Sequence, residues 1–263
     1  MLNQQSAAIS RHSIALASGA SAHGMASSGL KKRNNAVVIA GPMGSGKTAL
    51  WTMLRFPGSA IKPQTQTSMS VNAAEASVNE SRVYLVDVPG HQKYRLDRDS
   101  YLPMARGIVF VVDSIRIAET IRPAAELLYD ILANGKVQAH ETPLLLLCNK
   151  QDDPAALSNA RVQALLEDEI DRLRTTRQAG LDSLRTAHLA GASGASGGAA
   201  AAGDEDDLAA DERSSDFLGY EGKKFSFEHL PNSVQVSESS LVLGHDVGGL
   251  EHIERWISDT VNS

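Results

Sequence analysis

A single cysteine, Cys148, stands among the 263 residues, so no disulfide can close within the chain and a reducing compartment suits it. Long apolar runs are missing as well. A helix that crosses a bilayer needs about 18 consecutive apolar residues, and the longest runs, near 108–112 and 144–148, are far shorter. Read as written, nothing in the chain spans a membrane. N-myristoylation needs a glycine after the initiator methionine, and Leu2 stands there instead. The histidines show no spacing with cysteine or carboxylate that suits zinc, and there is no internal repeat. Lys and Arg number 25 against 31 Asp and Glu, a net charge of −6, which excludes a polycationic nucleic-acid binder. Direct contact with nucleic acid is not expected.

What is present is ordinary for a folded domain. Hydrophobic residues make up 42% and charged residues 21%, which excludes wholesale disorder. The first acidic residue is Glu75, whereas Arg11, Lys31, Lys32 and Arg33 all precede it. Residues 1–34 therefore read as a basic tether rich in Ser and Ala, with a transit peptide or the remnant of a leader as alternatives. A second break covers 178–222, where 190–203 holds nothing but Ala, Gly and Ser and is followed by Asp204, Glu205, Asp206 and Asp207. So little apolar content cannot offset the entropy of ordering, and this stretch reads as a disordered insertion. The remainder, about 180 residues, is the size of one domain, running over 35–261.

Short buried strands are expected at 36–40, 83–86, 107–112 and 144–148, and helices at 48–54, 117–132 and 158–174, where apolar positions recur three and four apart. Beyond the insertion, 224–230 and 233–237 read as strands and 249–261 as a closing helix. Alternating strands and helices imply an α/β fold with a mainly parallel sheet.

Three motifs fall in order at strand ends. Gly41-Pro-Met-Gly44-Ser45-Gly46-Lys47-Thr48 matches G-x-x-x-x-G-K-[ST] between a strand and a helix, the context a phosphate-binding loop requires. Its backbone amides, through Ala49, turn toward phosphates. Lys47 reaches the β and γ oxygens, acting on the transferred group, and the Thr48 hydroxyl ligates Mg²⁺. Asp87-Val-Pro-Gly90 ends the next strand, where the carboxylate can hold the Mg²⁺ and the Gly90 amide can bond a γ-phosphate that hydrolysis removes. Asn149-Lys150-Gln151-Asp152 follows 144–148 and matches N-K-x-D. A carboxylate at Asp152 accepts from the paired N1 and N2 donors of guanine, which adenine lacks, while Asn149 touches the purine and braces the loop and the Lys150 stem lies over the ring. The expected ligands are GTP and GDP with Mg²⁺.

Weaker signals complete the site. Thr67 is a candidate switch threonine for Mg²⁺, with Thr65 a close competitor. The amide near Ser240 suits the guanine carbonyl, although a plain loop explains it nearly as well. His91 is placed to orient the attacking water, or is a solvated loop histidine.

Together these residues resemble the small GTPases of the Arf-like branch, in particular the family of signal recognition particle receptor β subunits, over about 35–178 and 222–261. The resemblance rests on Asn149-Lys-Gln-Asp152, Thr65-Gln-Thr67-Ser, Asp87-Val-Pro-Gly90-His91, Arg106-Gly-Ile-Val-Phe-Val-Val-Asp-Ser114, Arg174-Thr-Thr-Arg177 and Lys223-Lys-Phe-Ser-Phe-Glu-His-Leu-Pro231. It implies a Ras/Arf-like P-loop GTPase fold in three layers and a slow, partner-regulated GTPase. The GTP form is expected to dock the receptor α subunit on the cytosolic face of the endoplasmic reticulum membrane, with ribosome or translocon as further partners. Two features depart from the family: no membrane anchor is visible, and Leu241-Val242 follows Ser240 where Ala-Lys is expected. Competing readings are an Arf or Sar-type coat-recruiting GTPase, a P-loop metabolic kinase and a nucleotide-loaded scaffold without turnover.

Overall fold

The computed structural model describes residues 35–57, 68–192, 218–241 and 250–263. Six strands form one sheet in the order β2-β3-β1-β4-β5-β6. They are β1 (Ala36–Ala40), β2 (Asn72–Val78), β3 (Ser81–Asp87), β4 (Ala105–Asp113), β5 (Leu144–Asn149) and β6 (Val234–Glu238). β2 runs antiparallel to β3 and every other pairing is parallel. The helices are α1 (Lys47–Arg55), α2 (Arg95–Tyr101), α3 (Ile117–Leu132), α4 (Gly135–Ala139), α5 (Asn159–Ala192) and α6 (Leu250–Asn262).

Central strands of a parallel sheet are covered on both faces, which is why they read as unbroken apolar runs. Alternation along each strand sends successive side chains to opposite layers. Val38, Phe110 and Leu146 join the layer that includes Leu128 of α3 and Leu166 of α5. Val37, Val111 and Leu147 join the layer that includes Leu50 of α1 and Trp256 of α6. Helix α6 packs so closely on β4 that a Cβ at Gly107 would meet Thr260 Cγ2 at 2.8 Å. The three-layer architecture around a mainly parallel sheet that the resemblance implies is therefore present.

The strands expected at 36–40 and 144–148 and the helix at 117–132 match, with β5 one residue longer. Strand β2 was not legible, because Asn-Ala-Ala-Glu-Ala-Ser-Val has little β propensity. A hairpin forms it: Asn79 and Glu80 both take positive φ, 44° and 65°, which suits the twist of a two-residue turn and pairs Asn72 with Asp87. The strand expected over 224–230 is corrected to coil around a 3-10 turn, Phe227–His229. Its amides are taken by side chains of α5 rather than by a neighbouring strand: Phe225 N–H donates to Asp171 Oδ1 at 2.9 Å and Phe227 N–H to Glu167 Oε1 at 3.0 Å. Helix α5, expected to end near Arg174, continues to Ala192, past the point where the insertion was expected to begin. The tether, the Ala/Gly/Ser-rich part of the insertion beyond Ala192, Thr65 and Thr67 lie outside the described residues.

Strands β3 and β4 leave β1 on opposite sides, so the chain reverses its winding at the carboxyl end of β1, where α/β folds place ligands. Among the described residues no helix is long and apolar enough to cross a membrane.

Leu146 is wholly buried whereas Leu96 is 83% exposed. Leu146→Ala is expected to cost about 3 kcal/mol and Leu96→Ala under about 0.5 kcal/mol, both read from urea midpoints at constant m.

Candidate functional site

The loop after β1 owes its path to glycine. Gly41, Gly44 and Gly46 have φ of 139°, 74° and 106°, values that side chains rarely tolerate. At Gly46 a Cβ would also meet Asn149 Nδ2 at 2.3 Å. Ser45 is buried, its Oγ has no hydrogen-bond partner among the described residues, and its carbonyl accepts from Asn149 Nδ2 at 2.8 Å. Ala49 lies in the first turn of α1.

Lys47 is buried and its Nζ donates to the Pro42 carbonyl at 2.7 Å across the loop. Burial pulls the ammonium from its ordinary 10.5 down to about 8, partly offset by the Asp87 carboxylate. An anion seated beside it would restore the charge.

Asp87 ends β3 fully buried. Its Oδ2 accepts from Thr48 Oγ1 at 2.8 Å and from Asn72 Nδ2 at 3.0 Å, while its Oδ1 has no hydrogen-bond partner among the described residues. A buried, half-satisfied carboxylate beside a threonine hydroxyl is a donor set that suits Mg²⁺. The Thr48 hydroxyl is also within 2.8 Å of Ser68 Oγ. Gly90 lies against the phosphate loop so closely that a Cβ would meet Gly41 O at 2.4 Å and Met43 N at 2.9 Å. Only glycine permits that approach.

His91 is exposed and caps the turn Gln92–Tyr94, its Nδ1 accepting from Lys93 N–H at 3.2 Å. A backbone donor on Nδ1 places the neutral ring's proton on Nε2. In this position the ring donates at Nε2 and has no free nitrogen to accept a proton from water.

The purine-side residues gather at the end of β5. Asn149 is buried and bonded through both amide atoms: besides the Ser45 carbonyl, it accepts at Oδ1 from Leu241 N–H at 3.2 Å and Ser239 Oγ at 3.3 Å. Lys150 takes φ 69°, and its ammonium pairs with Asp113 Oδ2 of β4. Asp152 is exposed, with its Oδ1 accepting from Ser240 Oγ at 2.6 Å. Ser240 thus enters the site through its hydroxyl, and the next amide, Leu241 N–H, is already taken by Asn149. Cys148, one residue before the motif, is held as an inert thiol: burial and then Glu238 push it up to about 12.

Asn72 was not singled out in the sequence, and Ser68 and Asp113 stood there only within longer stretches, with no role of their own. Asp113 had a signal, since it ends an apolar strand one hydrogen-bonded rung from Asn149. Asn72 had none, because only the β2–β3 hairpin brings it to Asp87, and nothing in the sequence marked Ser68 for its contact with Thr48. The described residues hold no cluster of three or more His, Cys, Asp or Glu able to bind another metal.

The model of the signal recognition particle receptor beta subunit family matches residues 32–234. The chain belongs to the signal recognition particle receptor beta subunit family. Signal recognition particle receptor subunit beta of Mus musculus is 32% identical over 235 residues, 87% of this chain and 77% of that protein. The solved structure of the mammalian SRP receptor superposes with a TM-score of 0.64 at 29% identity, covering 86% of this chain and 99% of that one. The GDP form of the β subunit from Chaetomium thermophilum gives 0.59 at 25%, covering 86% and 97%. Arf-like and SAR1-type GTPases match over less of the chain, 56% and 49% for two of them, so the coat-GTPase reading is the less supported. Membership makes this a small GTPase that hydrolyses GTP as a switch in the signal recognition particle receptor. Nucleotide and Mg²⁺ binding, and a role associated with the endoplasmic reticulum, come with the family.

Two outcomes follow from this geometry. Asn149→Ala removes a purine-side residue and also unties three loops, so the nucleotide-free chain is expected to lose about 1–3 kcal/mol, read by urea denaturation. Lys47 titrates lower folded than unfolded, so between about pH 8 and 10.5 the unfolded chain holds more protons and stability rises with pH. Nucleotide-free, EDTA-treated protein is expected to gain up to about 1.4 kcal/mol per pH unit in that window, and Lys47→Met is expected to lose this slope.

Proposed function

We propose that this chain binds GTP and GDP with Mg²⁺ and that its GTP form docks the receptor α subunit on the cytosolic face of the endoplasmic reticulum. The observation that carries the nucleotide choice is the Asp152 carboxylate, exposed and held by Ser240 Oγ at 2.6 Å. An acceptor pair fixed in this way suits the two donors on the guanine edge. Asn149, Lys150 and Asp152, with Ser240 beside them, would hold the base. The amides of 41–49 and Lys47 would hold the phosphates, and Thr48 and Asp87 the metal, with Thr67 or Thr65 as the switch threonine.

Mg²⁺, when bound, neutralises charge on the phosphate oxygens. The chain's own part is to keep Lys47 against the β and γ positions and Gly90 against the phosphate loop. Slow turnover follows from His91, whose acceptor nitrogen is engaged by Lys93 N–H. A partner that moves the turn Gln92–Tyr94 would free that nitrogen, which makes hydrolysis partner-regulated. Attachment to the membrane runs through the α subunit or an anchor not visible in this sequence, and contact with the ribosome or translocon follows from the docked state. The same reading assigns 35–261 to one GTPase domain, 178–222 to an insertion within it and 1–34 to a tether.

Chain loaded with a non-hydrolysable GTP analogue is expected to retain the receptor α subunit from lysate, and GDP-loaded chain is not. Lys47→Ala and Thr48→Asn are expected to lose that selectivity. Retention of coat components, or equal retention in both states, would overturn the docking reading.

A further inference from the structure

Helix α2 is built inside out. It follows the Gly90 loop by one turn, and its leucine, Leu96, is 83% exposed while its buried residue is an arginine, Arg98, 4% exposed. A surface helix is ordinarily held by an apolar stripe. Among the described residues of α2, Tyr101, the last, packs against the core, and charge takes the rest of that place.

The charges converge on one carboxylate outside the nucleotide site. Asp130, near the end of α3, receives Arg177 of α5 at 2.9 Å on Oδ1, a directed hydrogen bond. Its Oδ2 faces Arg95 Nε at 3.8 Å and Arg98 Nη2 at 3.9 Å, both from α2. Those two distances are too long for hydrogen bonds, so α2 is attracted to Asp130 without being pinned to it. The carboxylate itself is fixed from behind, because the Arg177 guanidinium also stacks 4.2 Å from the Tyr129 ring centre. Among the described residues the other acid paired with these arginines is Asp99 on α2 itself, 2.9 Å from Arg98 and 3.8 Å from Arg95. It moves with the helix and cannot anchor it.

We infer that Asp130 is a positioning residue for the nucleotide switch: held by Arg177, it draws α2 inward through Arg95 and Arg98 and so keeps Gly90 against the phosphate loop. It touches no nucleotide. Its effect is on the balance between two placements of α2, and a ligand that needs Gly90 in place draws on that balance whereas a ligand that does not is indifferent. The inference rests on the proposed GTP-dependent switch.

The test uses the full chain with a fluorescent GTP analogue and the matching GDP analogue, together with amide hydrogen exchange over 91–101. In Asp130→Asn, affinity for the GTP analogue is expected to fall about five- to tenfold, with GDP affinity within about twofold and faster exchange over 91–101. Asp130→Glu, which keeps the charge, should retain the wild-type ratio of affinities. Arg177→Gln, a change at a partly exposed residue, should shift the ratio in the same direction and decides the matter alone if Asp130→Asn does not fold. An unchanged ratio overturns the inference, whether affinities hold or fall together, because a merely structural role would weaken both nucleotides alike. Failure of the wild-type chain to bind either nucleotide would instead overturn the reading on which it rests.

Discussion

The site depends on one buried amide. Asn149 donates to the Ser45 carbonyl and accepts from Ser239 Oγ and Leu241 N–H, so a single side chain joins the phosphate loop, the end of β5 and the loop after β6. These segments are far apart in sequence; the last two are also joined by Gln151 N–H to the Ser239 carbonyl and by Ser240 Oγ to Asp152. A buried amide with partners at both ends is stabilising, and the same amide with one end open is costly. The three loops are thereby placed together or not at all. The absence of a Cβ at Gly46 makes room for this contact, since one would sit 2.3 Å from Asn149 Nδ2.

The sheet supplies the frame in which that amide works. β1, β4 and β5 carry apolar residues on both faces, and their carboxyl ends lie side by side through the parallel registers Ala40 with Phe110 and Asp113 with Asn149. Much of this was legible in the sequence. A doubly buried strand announces itself as an apolar run, and each motif begins where a run stops. Asp87, Asn149 and Lys47 could thus be assigned to one edge of the sheet before any coordinates. The glycines could be placed for the same reason, because a turn between a buried strand and a buried helix has few alternatives.

What was not legible is instructive because each failure has a physical cause. β2 is a strand by virtue of its partner and its turn, not its composition, and it brings Asn72 to Asp87. The 224–230 segment has the alternation of a strand, yet β6 is already the edge and the amides of Phe225 and Phe227 find carboxylates on α5. Arg174 completes that arrangement by donating to the Leu218 and Tyr220 carbonyls. Periodicity reports which side chains seek burial. It says nothing about which backbone groups will be claimed by a side chain from elsewhere.

The division of labour between apolar and polar contacts explains how such a frame can also move. Withdrawing a buried leucine from either layer would leave a cavity and cost several kcal/mol, so the sheet and its helices hold still. The segments around the phosphate loop are held differently: Thr48 to Asp87 and Ser68, Lys47 to the Pro42 carbonyl, Tyr94 to the Met69 carbonyl, His91 to Lys93. Each of these bonds can be exchanged for one to a phosphate oxygen, a metal ion or water at small net cost, because hydrogen bonds traded one for one nearly cancel. Met69 and Leu96 stand exposed, and under the proposed docking reading they are surface that a partner could cover. A switch built this way needs no flexibility in its core. Under the proposed reading, ligand binding would redistribute polar partners at the carboxyl edge of the sheet without disturbing the apolar layers beneath it.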